Sequence, residues 1–143
     1  MQTQTLVRVI FFPANNPNQK MAAIYNSARD NFDKGHKLTL YVDSDASQNF
    51  VDKLLWSTPN QSFLPHDTLD PSNELIAITR NLNNTHQSSS LFNLSSKPIL
   101  SFHPLITTIF ELEDNTSSQK KTISKEKFDH YKALGFHIIQ SSS

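Results

Sequence analysis

The chain has 143 residues, of which 36% are hydrophobic, with 13 basic and 13 acidic side chains, two glycines and no cysteine. Zero net charge excludes a globally basic grip on nucleic acid. The missing cysteine excludes disulfides, thiolate nucleophiles and Cys-ligated zinc or iron–sulfur centres. The length fits one domain of common size, covering 1–143.

Residues 6–12, Leu-Val-Arg-Val-Ile-Phe-Phe, are rich in β-branched and aromatic groups and predict a largely buried strand. After a polar turn, Met21, Ile24, Tyr25, Ala28 and Phe32 recur at helical spacing over 19–34, and Gly35 stops that helix. A second strand is expected at 37–42. Asp43, Ser44 and Asp45 are N-cap candidates for a helix that carries Phe50, Val51, Leu54 and Leu55 and ends near Trp56. A loop over 57–67 and a third strand at 74–79 follow.

The stretch 80–97 is polar and Ser/Asn-rich and reads as an exposed excursion, with room for helical or strand character around Leu91 and Leu94. A fourth strand is expected at 98–102 and a fifth at 106–112. A turn spans 113–119, a helix 124–134 ends at Gly135, and a short strand covers 136–139. Alternating strands and helices imply βαβ units and a mainly parallel sheet in a three-layer α/β fold. Residues 1–5 lack the basic start of a signal peptide, and no apolar run approaches the ~20 residues that span a bilayer. A soluble cytoplasmic protein with no membrane role is the expectation.

Parallel sheets bind ligands beyond the carboxyl ends of their strands. The turn after the first strand, Phe12-Pro13-Ala14-Asn15-Asn16-Pro17, has no glycine with which to cradle a pyrophosphate, so no nucleotide is expected there. Asp43 and Asp45 after the second strand suit Mg²⁺ binding or phosphoryl transfer in principle, which makes a metal-dependent phosphoryl-transfer or nucleotide-processing enzyme the rival reading. Their simpler role is to cap the next helix. The six histidines show no ligand spacing, and no nucleophile elbow is present. No catalytic residue, metal or cofactor is therefore assigned.

Two constellations remain. In Leu54-Leu55-Trp56-Ser57-Thr58-Pro59-Asn60-Gln61-Ser62-Phe63-Leu64-Pro65-His66, prolines stiffen a loop that carries Trp56 and Phe63. Those rings suit either an interface or the core. Over 120–132, five lysines face Glu126 and Asp129, a local net charge of +3. Phe128, Tyr131 and Lys132 lie three and four residues apart, with Gly135 and Phe136 just beyond. This pattern suits an acidic peptide with an apolar anchor, or equally a solvated helix face with Phe128 and Tyr131 half in the core.

Together these stretches resemble the chi subunit of bacterial DNA polymerase III. The family carries Leu-Trp, a gap with proline, then Ser-Phe-hydrophobic-Pro-His, matched here by Leu55-Trp56, Pro59 and Ser62-Phe63-Leu64-Pro65-His66. Near its end it carries Tyr-Lys and then Gly-Phe, matched by Tyr131-Lys132 and Gly135-Phe136. The resemblance implies a Rossmann-like fold without a nucleotide-binding loop. It implies a non-catalytic accessory subunit of the clamp-loader assembly. Trp56, Phe63, Pro65 and His66 would contact a psi-type partner subunit. Tyr131 and Lys132, with Lys125, Lys127, Phe128, Gly135 and Phe136 around them, would bind the acidic C-terminal tail of single-stranded-DNA-binding protein, so that DNA is met indirectly. Phe128 stands where the family usually has arginine, and Lys125 or Lys127 supplies a point charge in place of a planar fork.

Overall fold

In the computed structural model, residues 7–56, 65, 66, 68, 74–82 and 87–141 are described, with only the backbone of Trp56. Strand β1 (Arg8–Ala14) leads into helix α1 (Pro17–Asp33), whose proline sits in the first turn and whose first free N–H groups are met by Asn16 Oδ1, 2.9 Å from Gln19 N. Strand β2 (Leu38–Tyr41) and helix α2 (Asp45–Trp56) follow, then strands β3 (Ile76–Thr79), β4 (Ser90–Asn93) and β5 (Thr108–Asp114). Helix α3 (Ser118–Ala133) and strand β6 (His137–Gln140) complete the order.

The six strands form one sheet in the order β3-β2-β4-β5-β1-β6, and every pairing is parallel. Parallel neighbours need crossovers, so both faces are covered. On one face α1 and α2 pack Ile24, Ala28, Val51 and Leu55 onto Leu38, Leu40, Ile76, Ile78 and Phe92. On the other, α3 and the segment after β4 pack Tyr131 and Ile99 onto Val9, Phe11, Leu91 and Ile109. Successive residues such as Leu91 and Phe92 serve opposite cores, as the two-residue period of a strand requires. The architecture is the three-layer, Rossmann-like α/β fold expected from the alternation of elements.

Several boundaries differ from the sequence reading; β5, for one, runs Thr108–Asp114 where 106–112 was expected. The fourth strand is Ser90–Asn93, inside the stretch read as an excursion, and residues 98–102 are not a strand. The reason is positional. The fourth strand lies between β2 and β5 and must donate to both, whereas a strand opening on Pro98 lacks one donor. Ile99 is buried as a side chain, and its N–H goes to Tyr131 Oη at 2.9 Å. Helix α3 starts at Ser118, six residues before Ser124, because Ser117 Oγ caps Lys120 N at 3.1 Å. Strand β1 runs through Pro13. Arg8 N donates to Thr107 O on the β5 side, so alternate residues turn Pro13 toward β6, past the last β6 partner at Phe11.

Candidate partner-binding surfaces

Helix α3 has two polar faces, and burial separates them. Ser124, Lys127 and Tyr131, three and four residues apart, point inward. Tyr131 is 0% exposed and Lys127 6% exposed. They surround Glu111, which β5 points into the same core. Lys127 Nζ lies 3.0 Å from Glu111 Oε1 and donates to Ser95 O at 2.6 Å. Tyr131 Oη donates to Glu111 Oε2 at 2.6 Å, and Asn93 Nδ2 donates to the same oxygen at 2.7 Å. Burial drives the Glu111 carboxyl above its usual range, against the pull of Lys127, Tyr131 and Asn93. Burial, and then the Glu111 charge, push the Tyr131 phenol up as well.

The neighbouring face, about a quarter-turn round the helix, carries Lys121, Lys125, Phe128 and Lys132, spaced four, three and four residues apart. The three lysines are exposed and Phe128 is half-buried against Phe11, with ring centroids 5.8 Å apart. Lys125 also pairs with Asp129 at 3.1 Å. Between this face and β6 runs a groove of about 240 Å³, lined by Phe11, Lys121, Lys125, Phe128, Glu113 and Gln140. Phe128, Tyr131 and Lys132 therefore do not present one open face. Tyr131 belongs to the core, Lys132 to solvent, and Phe128 to the border.

The end of α3 is fixed by backbone geometry. Gly135 takes φ of 80°, Gly135 N donates to Lys132 O at 3.0 Å and Phe136 N to Tyr131 O at 3.2 Å. This reversal belongs to the left-handed helix terminations that favour glycine. It lays Phe136 on Tyr131, with ring centroids 6.0 Å apart, and edge-on to Phe102 at 6.1 Å. Leu134, beside it in sequence, is exposed.

Of the loop residues, Trp56 ends α2, but its side chain, like all of Phe63, lies outside the described residues. Pro65 is half-buried. The His66 imidazole is enclosed and sets Nε2 2.6 Å from Asp52 Oδ1, tying the returning chain to α2.

A larger crevice, about 580 Å³, opens at the carboxyl ends of β2, β4 and β5. It sits where the chain leaves β2 toward one face of the sheet and β4 toward the other, the switch point at which parallel sheets bind ligands. Ser44 caps α2 there, with Oγ 3.1 Å from Ser47 N. Asp43 accepts from Ser96 N at 3.3 Å, and Asp45 pairs with Arg80. The capping role considered for the Asp43-Ser44-Asp45 run falls to Ser44. Among the described residues no group of three histidine, aspartate or glutamate side chains converges as a metal site. No helix among them is long and apolar enough to cross a membrane.

Sequence reasoning missed Glu111 and Asn93. The available signal was Glu111 itself, a lone charge in Thr-Ile-Phe-Glu-Leu, with Lys127 as the only inward-facing cation on a helix rich in outward ones.

A parallel three-layer sheet whose switch point lacks a glycine-rich phosphate loop defines a Rossmann-like scaffold of the nucleotide-loop-free kind. Over residues 6–139 the chain matches the family described as DNA polymerase III chi subunit, HolC, and it belongs to that family. The family supplies an accessory, non-catalytic subunit of the DNA polymerase III complex. No curated protein matches the chain.

Proposed function

We propose that this chi-family subunit is an adaptor that binds the acidic C-terminal tail of single-stranded-DNA-binding protein and a psi-type clamp-loader partner. It would join the cytoplasmic replication machinery to coated single-stranded DNA without catalysing a reaction. The observation that carries this reading is the row of Lys121, Lys125 and Phe128 lining the groove beside β6, with the exposed Lys132 continuing the same helix face. Exposed ammonium groups meet the tail's carboxylates, and an apolar floor beside them suits a terminal ring. In this reading Lys125, Phe128, Lys132 and Phe136 touch the tail. Tyr131, Lys127 and Gly135 act by holding α3 and its turn in place. The psi-type contact uses the end of α2, with Trp56 and Phe63, and the returning Pro65-His66 segment.

Titration of the ¹⁵N-labelled protein with an acidic peptide ending in an aromatic residue tests the tail site. Amide shifts should concentrate on α3 and β6 and should weaken as salt rises, because exposed charges are screened beyond about 10 Å at 0.1 M. Shifts elsewhere, or none at low salt, would refute this placement.

A further inference from the structure

Strand β6 is an open edge of the sheet. Among the described residues it pairs only with β1, in parallel register from Arg8 opposite His137 to Phe11 opposite Gln140. At the other edge all four residues of β3 are buried. On β6, His137 and Gln140 are exposed and Ile138 and Ile139 half-buried. Open edges are usually guarded by lysine, proline or a bulge. His-Ile-Ile-Gln contains neither residue, and its register with β1 is unbroken.

The hydrogen-bond alternation fixes which groups face outward. His137 N donates to Val7 O at 3.1 Å and Ser141 N to Phe11 O at 2.8 Å. In a parallel ladder successive residues turn to opposite sides, so 137, 139 and 141 are turned to β1. The N–H and C=O groups of Ile138 and Gln140 therefore aim away from the sheet.

Both faces of this edge carry cations. On the α3 side, Ile138 packs on the core around Val9 and Tyr131, and Gln140 lines the groove with Lys121 and Lys125. Val9 and Phe11 belong to that core, so the two-residue period turns the exposed Arg8 to the α1 side. Lys127 with Glu111, and Lys20 with Asp114, are closed pairs. On β1, β5 and the lysine face of α3 there remain Arg8, Lys121, Lys125 and Lys132 against Glu113 and Asp129. Glu113 accepts from Gln140 Nε2 at 2.7 Å, and Asp129 pairs with Lys125. The edge thus keeps a positive surplus after its carboxylates are counted. A chain laid along β6 would turn its side chains alternately to these two faces.

Resting on the tail reading of the same groove, we propose that the acidic segment binds as an added strand on β6. Its main chain bonds to Ile138 and Gln140, and its carboxylates point alternately toward Lys121 and Lys125 and toward Arg8. Strand addition takes its affinity from main-chain hydrogen bonds and its specificity from alternate side chains. The partner segment is therefore read as an extended backbone as well as a charge.

The test uses the full-length protein at low salt with an acidic peptide ending in an aromatic residue, and a series of that peptide with one backbone nitrogen methylated at a time. Only alternate N–H groups of an added strand face β6. Methylation at those positions should weaken binding about tenfold, the loss of one hydrogen bond, and methylation between them should change it less than about twofold. Amide exchange should slow on binding at Ile138 and Gln140 and not at Ile139, which is turned to β1. Gln140→Pro, which removes an outward N–H, should bind about tenfold more weakly than Gln140→Ala, which loses only the side chain. Melting curves show whether both variants fold, and the methylated series decides without them. Binding with no alternation, with exchange at Ile138 and Gln140 unaltered, or with equal affinity for the folded proline and alanine variants would overturn the added strand and leave the tail reading standing. No binding at low salt would overturn both.

Discussion

Tyr131 and Glu111 meet in the core through a 2.6 Å hydrogen bond, phenol to carboxylate, with both residues 0% exposed. The same phenol accepts from Ile99 N. One side chain thereby ties α3 both to β5 and to the segment that follows β4. Tyr131 thus fixes the helix on which the proposed partner surface is built.

Tyr131→Phe keeps the ring and its contacts with Phe11 and Phe136 but removes the hydroxyl. Glu111 loses one donor and Ile99 N–H loses its acceptor. A buried group left without its hydrogen bond costs about 1–3 kcal/mol. Urea unfolding should show a loss in that range, with the slope unchanged.

Lys127→Ala leaves a buried carboxylate without its cation, which typically costs about 3–5 kcal/mol. Adding Glu111→Gln should restore much of the loss, because the remaining donors, Tyr131 and Asn93, need no charge on their acceptor. A double-mutant cycle by chemical denaturation measures the coupling. A double variant as unstable as the sum of the singles would contradict the pairing.

The phenol's upward pKa shift gives a signed pH dependence. In the folded chain Tyr131 holds its proton above the ordinary value near pH 10. In the unfolded chain it releases that proton near pH 10. The folded state therefore binds more protons there, and stability contributed by this group is full below about pH 10 and falls as pH rises, by up to about 1.4 kcal/mol per pH unit. Urea midpoints between about pH 8 and pH 11 should fall more steeply for the parent than for Tyr131→Phe.

Gly135→Ala adds a methyl that meets nothing within 4 Å, so space is available. The cost lies in the backbone, since φ is 80°. About 1–2 kcal/mol is expected for a left-handed non-glycine residue. The stacking of Phe136 on Tyr131 should loosen, which near-ultraviolet circular dichroism reports.

Much of this arrangement was legible in the sequence. Periodicity placed α1, α2 and the alternation behind the parallel sheet, because apolar spacing is a local signal, while α3 was found but begun six residues late because its Ser117 cap lies ahead of the apolar pattern. The strand Ser90–Asn93 was hidden because only Leu91 and Phe92 carry its burial, and the polar residues around them resemble a loop. Its central place comes from pairing with β2 and β5, which is a non-local fact. The basic character of α3 was visible as composition, but its division into a buried and an open face depended on Glu111, a partner 16 residues from Lys127.

The central claim is that the open face of α3 receives an acidic tail. Fluorescence anisotropy with a labelled acidic peptide ending in an aromatic residue, compared between the parent and a Lys125→Glu, Lys132→Glu variant, tests it most directly. Both positions are exposed, so the variant should keep its melting temperature. The account predicts binding by the parent at low salt and a loss of tenfold or more, about 1.4 kcal/mol, in the folded variant. Equal binding by the two proteins would contradict it.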